Sequence, residues 1–399
     1  MSTRAALWTG FVLVHVTVAA LGFLLPNQPM GDVYLVYEPW SAAAVAGEGV
    51  VGVTADWVYP QLALLPMLLA HVPGDLVGAY PLGWAILVAA ADAAAFAVLV
   101  GRGRSRGRVR AAWFWLIAAL ALGPVGMYRI DAVTVPLAVL ACLWLAGRPW
   151  AASVLLAAAT WVKVWPAALL AAAFVAVRRR WAIAGGALAV SVAVVAAVLV
   201  AGGGAHLFGF VAGQTGRGLQ IEAPAATPYL WGAVAGADGF GLYYDRDMLT
   251  FQATGPGVAA VAAATTPLMA VLAAAILLVG AWQVRRGIPF VRLFPVLALA
   301  LVLTLIVTNK VGSPQFETWL LPVVVFALAV DRRRWQVLAA AVVAVCALTQ
   351  LVYPILYGGV LTPEPIAVTV LTARNLLLIA LLVWMTVRLV RPAPAARRA

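Results

Sequence analysis

Charge is scarce in this chain of 399 residues. Asp, Glu, Lys and Arg make up 10% of it, against about 25% in soluble globular domains. With 65% apolar residues and a mean hydropathy of +1.02, a soluble fold is excluded. Cysteine is nearly absent: Cys142 and Cys346 both fall in apolar stretches, where cysteine is usually a small core residue, so neither a disulfide nor a thiolate metal site is expected. Neither HExxH nor CxxC occurs, and no metal or other cofactor is expected. A Walker loop is missing too, which argues against ATP-driven chemistry. No internal repeat, low-complexity tail or soluble domain is visible. A net charge of +12 and a pI near 10.4 would suit nucleic acid. The basic residues, however, form short clusters beside apolar runs, as cytoplasmic loops do, so no nucleic-acid partner is expected.

What is present is a succession of apolar runs. A helix needs roughly 20 apolar residues to cross the hydrocarbon core, and fewer where protein surrounds it. That criterion predicts an all-α polytopic membrane protein, a single integral membrane domain over 1–399. About 12 transmembrane helices are expected, near 7–25, 77–100, 111–128, 132–146, 151–165, 166–177, 182–201, 256–281, 290–308, 318–330, 335–352 and 374–390. Twelve crossings place both termini on one side. Twenty of the 26 Lys and Arg residues then share that side: Arg4, the five arginines from Arg102 to Arg110, Arg148, Arg178 to Arg180, Arg285, Arg286, Arg292, Arg332 to Arg334, Arg388 and those of the tail 391–399. The positive-inside rule makes this the cytoplasmic face of the plasma membrane. Arg129, Lys163, Arg217, Arg246, Lys310 and Arg374 are left on or near the outer face. Residues 1–20 carry no convincing small-residue cleavage site and read as a retained first helix. Tyr59 to Val72 is apolar but short, and counting it as a crossing would put Arg102 to Arg110 outside, so it reads as re-entrant or interfacial.

Two long outer segments, about 26–76 and 202–255, hold most of the polar residues that topology leaves unexplained. Asp32, just beyond the first span, sits where a carboxylate can meet both a lipid headgroup and a water-soluble group. It suits a general base that takes a proton from an attacking hydroxyl, although an aspartate capping the next helix would look the same. Tyr37 and Glu38 follow on an interfacial helix, and Trp40 fits the aromatic belt at the headgroups. Arg129 and Asp131 are squeezed between two spans, either as a binding pair or as the closure of a tight hairpin. Lys163, deep in an apolar stretch, calls for a partner or an aqueous cavity, or else snorkels. Asn309 to Glu317, with Lys310 and Gln315, is dense in polar groups for so short a connection and reads as a binding segment. Glycines flank Arg217, whose guanidinium fork can hold a phosphate. His206, at the outer end of the seventh span, either assists a phosphate or is an interfacial histidine. Tyr243 to Asp247 reads as a solvated, self-paired patch, and His15 and Asp92 read as contacts between helices.

Four short motifs then resemble a family: Gly31-Asp32-Val33-Tyr34 after the first span, Tyr59-Pro60, the Lys163…Pro166 hinge, and Ser313-Pro314-Gln315-Phe316 late in the chain. In order and spacing, over most of the chain, they are similar to the GT-C superfamily of polytopic glycosyltransferases. In particular they resemble the bacterial polyprenol-phosphate-mannose-dependent mannosyltransferases. That resemblance implies a polyprenyl-phosphate-linked sugar as donor, a glycolipid or cell-envelope glycan as acceptor, and membrane lipids as surroundings. It also implies inversion at the anomeric carbon, an outward-facing site, no obligatory metal, and Asp32 as the acid that deprotonates the acceptor hydroxyl. Lys310, Arg217 and Lys163 would neutralise the departing phosphate, while Arg129, Asp131 and Gln315 would shape the pocket. The chain departs from the pattern in having a single Asp where some relatives have an acidic pair, and Gln61 where a second proline is common. Its Ala, Val and Arg-rich composition resembles that of high-GC actinobacteria, where such enzymes extend phosphatidylinositol mannosides, lipomannans or wall glycans.

Two alternatives belong to other classes. A transporter or flippase of a lipid-linked sugar would also place cations at the headgroups, and would gain if His15 and Asp92 lined a continuous cavity. A purely structural partner would leave Lys163 and Lys310 without a purpose.

Overall fold

The computed structural model describes residues 2–213, 216–246 and 248–392. In chain order the helices are α1 (Thr3–Leu24), α2 (Glu38–Ala46), α3 (Leu64–Val77), α4 (Tyr80–Val100), α5 (Arg106–Leu122), α6 (Asp131–Trp144), α7 (Pro149–Val162) and α8 (Ala167–Ala176). They continue with α9 (Arg180–Val200), α10 (Gly209–Ala212), α11 (Thr227–Val234), α12 (Val258–Arg285), α13 (Phe290–Val307), α14 (Leu320–Gln350), α15 (Tyr357–Leu361) and α16 (Pro365–Val390). Eight helical segments among the described residues are long and apolar enough to cross a membrane, and α3, α6, α7 and α8 are shorter apolar helices. The chain is therefore an all-α polytopic membrane protein, as its apolar runs predict.

Sequence chemistry sets the breaks between these helices. The expected spans 318–330 and 335–352 are two arms of α14, bent apart at Asp331, whose φ of −141° and ψ of 73° leave the helical region just before Arg332 to Arg334. Between α7 and α8, Lys163 is fully extended (φ −152°, ψ 135°). Pro166 follows two residues after Val164; proline has no N–H to donate and disfavours helix in the residue before it. The last span begins earlier than its predicted start at residue 374: α16 opens at Pro365, and Arg374 is buried inside it at 1% exposure. A lone arginine normally marks the edge of an apolar run, but here Glu317 lies 3.7 Å from it.

The main core is built on α13 and α14, with α5, α6 and α8 packed around them. Close backbone approach at glycines joins neighbours. A Cβ on Gly107 would stand 2.5 Å from the Ala329 carbonyl, and one on Gly83 would stand 2.3 Å from that of Ala70, so α5 meets α14 and α4 meets α3 without side chains between them. By contrast α1, α9 and α12 bury 22%, 22% and 17% of their most apolar windows. Such helices, apolar nearly all round yet uncovered by protein, face lipid. One end of the molecule collects arginine-rich turns, and the other carries two smaller cores. The first of these surrounds Val33, Tyr37, Trp57, Trp84 and Tyr128, and the second surrounds Leu219, Ile221, Leu230, Val352 and Leu371.

A hairpin unforeseen in the sequence stands on the second of these cores. β1 (Gly241–Asp245) pairs antiparallel with β2 (Thr250–Thr254), in a register that sets Gly241 against Thr254 and Asp245 against Thr250. Gln220 forms an isolated bridge to Gln252. Tyr243 and Tyr244, expected in a solvated patch, are half-exposed on β1. Gln214 and Thr215 near Arg217, Asp247 of the expected patch, and the tail beyond 392 lie outside the described residues. Asp245-Arg246-Asp247 has an Asp-x-Asp spacing in the sequence, and Asp245 accepts a hydrogen bond from the Met248 amide at 3.0 Å.

Candidate active site

After α1 the chain turns back over the helix ends. Asp32 opens a single wide turn, Val33–Tyr37, of the π type, a local irregularity found often at functional sites. Its side chain is 37% exposed, and one carboxylate oxygen lies 3.1 Å from Nη1 of Arg129, in the tight connection between α5 and α6. Arg129 is itself nearly buried. Its Nη2 donates to the Tyr353 hydroxyl at 3.3 Å, and that hydroxyl donates to the Asn27 carbonyl at 3.0 Å. Burial works against the charge on Arg129, but Asp32 together with Tyr353 and Tyr37 more than offsets it and holds the pKa above the ordinary arginine value. Tyr37 points its hydroxyl toward Asp32 at 3.5 Å and accepts the Ile130 amide at 3.1 Å. Burial, then the nearby Tyr59 and Asp32, pushes its pKa up, so it remains a neutral donor.

Lys163 and Asp131 form the adjoining group. The extended hinge after α7 lifts Lys163 over the ring of Tyr59, 4.5 Å from its centroid, and brings Nζ to 4.0 Å from the Asp131 carboxylate. Asp131 is completely buried, and its other oxygen accepts from Trp319 Nε1 at 2.6 Å. Tyr59 and Tyr37 lie edge to face at 6.3 Å and connect this group with Asp32. The geometry matches the rule that a cation at this depth must have a partner.

Two further cations lie close to each other. Burial, with the repulsion of Arg217, holds Lys310 below the ordinary lysine range; burial also lowers Arg217, against the pull of Tyr59 and Asp245. Their segments are clamped together, since the Gln220 amide donates to the Lys310 carbonyl at 2.9 Å and a Cβ on Gly312 would stand 2.2 Å from the amide nitrogen of Ala223.

The remaining expected residues lie at the margins of these groups. Gln315 is buried in the 3₁₀ turn Pro314–Trp319 that leads into α14; its backbone carbonyl accepts from the Thr318 hydroxyl at 2.7 Å, while the neighbouring Phe316 stacks on Trp319 at 4.1 Å between centroids. Glu38 begins α2 and touches Ser41, and His206 pairs with Asp56 at 2.8 Å. Neither has a contact with Asp32 among the described residues. His15 and Asp92, read as helix contacts, do join α1 to α4 at 3.1 Å. They line one cavity of about 30 Å3 with Gly126, Met127 and Thr318, room for about one water.

Sequence reasoning passed over Tyr353 and Trp319, which orient Arg129 and Asp131; it named Arg374 only as an outer cation and Glu317 only as the end of a polar connection, and did not join them with Glu222 and Asn375 into the buried set they form. Arg374 bonds the Glu222 carbonyl and the Asn375 side chain, and Asn375 reaches Thr227 at 2.9 Å. The advance signals were Arg374 at the edge of an apolar run and the dense polar connection that ends at Glu317.

An all-α bundle through the bilayer, with acids and cations gathered at one end of it, defines a polytopic membrane protein with a charged surface site. The chain matches glycosyltransferase family 87 over residues 57–265, just over half its length, and belongs to that family. It is thus a membrane glycosyltransferase. The match takes in Tyr59, Arg129, Asp131, Lys163, His206 and Arg217, and begins after Asp32. No curated protein matches the chain.

Proposed function

We propose that the protein transfers a sugar, mannose, from a polyprenyl-phosphate donor to a glycolipid or envelope glycan on the extracytoplasmic face, with inversion. The observation that carries this reading is the partly exposed carboxylate of Asp32 held against Arg129, with Lys163 over the neighbouring Tyr59 ring and Arg217, itself close to Lys310, in electrostatic reach of the same tyrosine. In the transfer, an acceptor hydroxyl oxygen bonds to the anomeric carbon as the bond from that carbon to the phosphate oxygen breaks. Asp32 takes the hydroxyl proton. The phosphodiester leaves as a phosphate monoester with one more negative charge, and preorganised cations stabilise that charge as it develops. Arg129 can trade its contact with Asp32 for a phosphate oxygen, which frees the base, and the guanidinium fork of Arg217 suits the same group.

Tests of this proposal use the purified protein in lipid, radiolabelled polyprenyl-phosphate mannose and an actinobacterial glycolipid extract. Wild type is expected to form a labelled glycolipid, and Asp32→Asn to lower the rate by about 10²–10⁴ while donor binding persists. Full activity in Asp32→Asn would remove Asp32 from the role. Absence of transfer from both mannose and arabinose donors would lead to a flippase assay of the transport alternative.

A further inference from the structure

The arginine-rich end of the bundle, opposite Asp32, takes no part in this chemistry, yet it contains a shaped site. A cavity of about 300 Å3 opens between the start of α1, the connection from α4 to α5 and the bend of α14. Thr3, Gly103, Arg104, Arg106, Arg110 and Arg332 line it, and no carboxylate does. The nearest acid in sequence, Asp331, pairs with Arg334 at 3.5 Å. None of the four lining arginines forms an ion pair among the described residues.

Backbone packing fixes the walls. Gly103, at φ +69°, lies against Arg4, where an added Cβ would sit 3.3 Å from the Arg4 side chain; Gly107 rests on the carbonyls of Leu328 and Ala329. The cavity therefore joins three segments already held together. Three of its four arginines, Arg104, Arg106 and Arg110, are exposed, and Arg332 is partly exposed. α5 opens on Arg106, continues with Arg108 and Arg110, and has no acid in its first turn, although the positive end of a helix dipole favours negative charge. The positive-inside rule accounts for many arginines at this end, but not for four of them converging on one cavity at a helix N-terminus. An anion there would relieve both the mutual repulsion and the dipole mismatch. Guanidinium groups pair with phosphate oxygens in a planar fork, which lysines would not provide.

We propose that this pocket binds a phosphate group, either the headgroup of an anionic lipid or a soluble diphosphate, and so ties α1, α5 and α14 together at the arginine-rich face. The test is binding to the full-length protein in phosphatidylcholine nanodiscs, with and without phosphatidylglycerol, and separately with inorganic diphosphate. Bound lipid is read by native mass spectrometry and stabilisation by the thermal midpoint. Wild type is expected to retain one of these ligands. Arg104→Gln/Arg110→Gln/Arg332→Gln should weaken retention by about tenfold or more, and single Arg110→Gln should weaken it in part, which keeps the test readable if the triple variant folds poorly. Arg178→Gln/Arg179→Gln/Arg180→Gln removes equal charge at another turn and should retain the ligand. Retained phosphatidylglycerol that diphosphate does not displace identifies a lipid headgroup, whereas displacement by diphosphate identifies a soluble phosphate. Equal losses in both triple variants, or no retention by wild type, would overturn the proposal.

Discussion

Glu222 illustrates how a single residue at the Asp32 end of the bundle responds to its setting. Only 2% exposed, it is surrounded by the second small core; burial pushes its carboxyl up to about 7, against the pull of Arg374. A carboxyl raised in this way keeps its proton in the folded protein while the unfolded chain has already released it. Its stabilising contribution is complete below the ordinary glutamate range and is lost as pH rises to about 7. A shift of that size corresponds to about 3 kcal/mol. The thermal midpoint of wild type in nanodiscs should therefore fall as pH is raised from about 5 to about 7.5, and Glu222→Gln should flatten the decline. Equal slopes would remove Glu222 as its source. Such behaviour was not legible in the sequence, because Glu222 stands in a loop that looks solvated and its partner Arg374 lies 152 positions away. Asp32, Arg129, Lys163 and Lys310 stood out for the opposite reason: each interrupts or borders an apolar run, where charge is conspicuous.

At the level of elements, the arrangement depends on close approaches that only glycine permits. Gly312 presses against the backbone of Glu222 and Ala223, with no flexible side chain there to yield. Gly312→Ala must push the Lys310 segment away from Gln220 and separate Lys310 from Arg217. Overpacking of this kind costs about 1–3 kcal/mol. The expected outcome is a lower thermal midpoint together with a raised KM for the lipid donor; an unchanged KM would show that the clamp does not set the spacing of these cations. The helix pattern was largely readable, since apolar length and arginine turns placed most of the apolar helices to within several residues, with the start of α16 as the main error. The hairpin of β1 and β2 was hidden in a segment whose short alternation is overshadowed by glycine and charge. Lys163 was recognised as needing a partner, but Asp131, Tyr59 and Trp319 come together only through the hinge at Pro166 and the 3₁₀ turn before α14.

The whole molecule presents two unlike faces, and their sidedness can be measured. Cys142 and Cys346 are fully buried, so new cysteines can be labelled against a silent background. In intact cells a membrane-impermeant maleimide should label Glu48→Cys and spare Arg333→Cys until the membrane is opened. The reverse pattern would turn the protein over and place Asp32 in the cytoplasm.

The thin protein cover on α1, α9 and α12 has a kinetic corollary. Where a helix meets acyl chains along most of its length, the proposed lipid-linked donor would arrive sideways by diffusion in two dimensions, and its effective concentration would be a mole fraction in the bilayer. At a fixed amount of donor per litre, adding inert phospholipid should slow turnover in proportion to the dilution, whereas adding buffer to the same vesicles should leave turnover per enzyme unchanged.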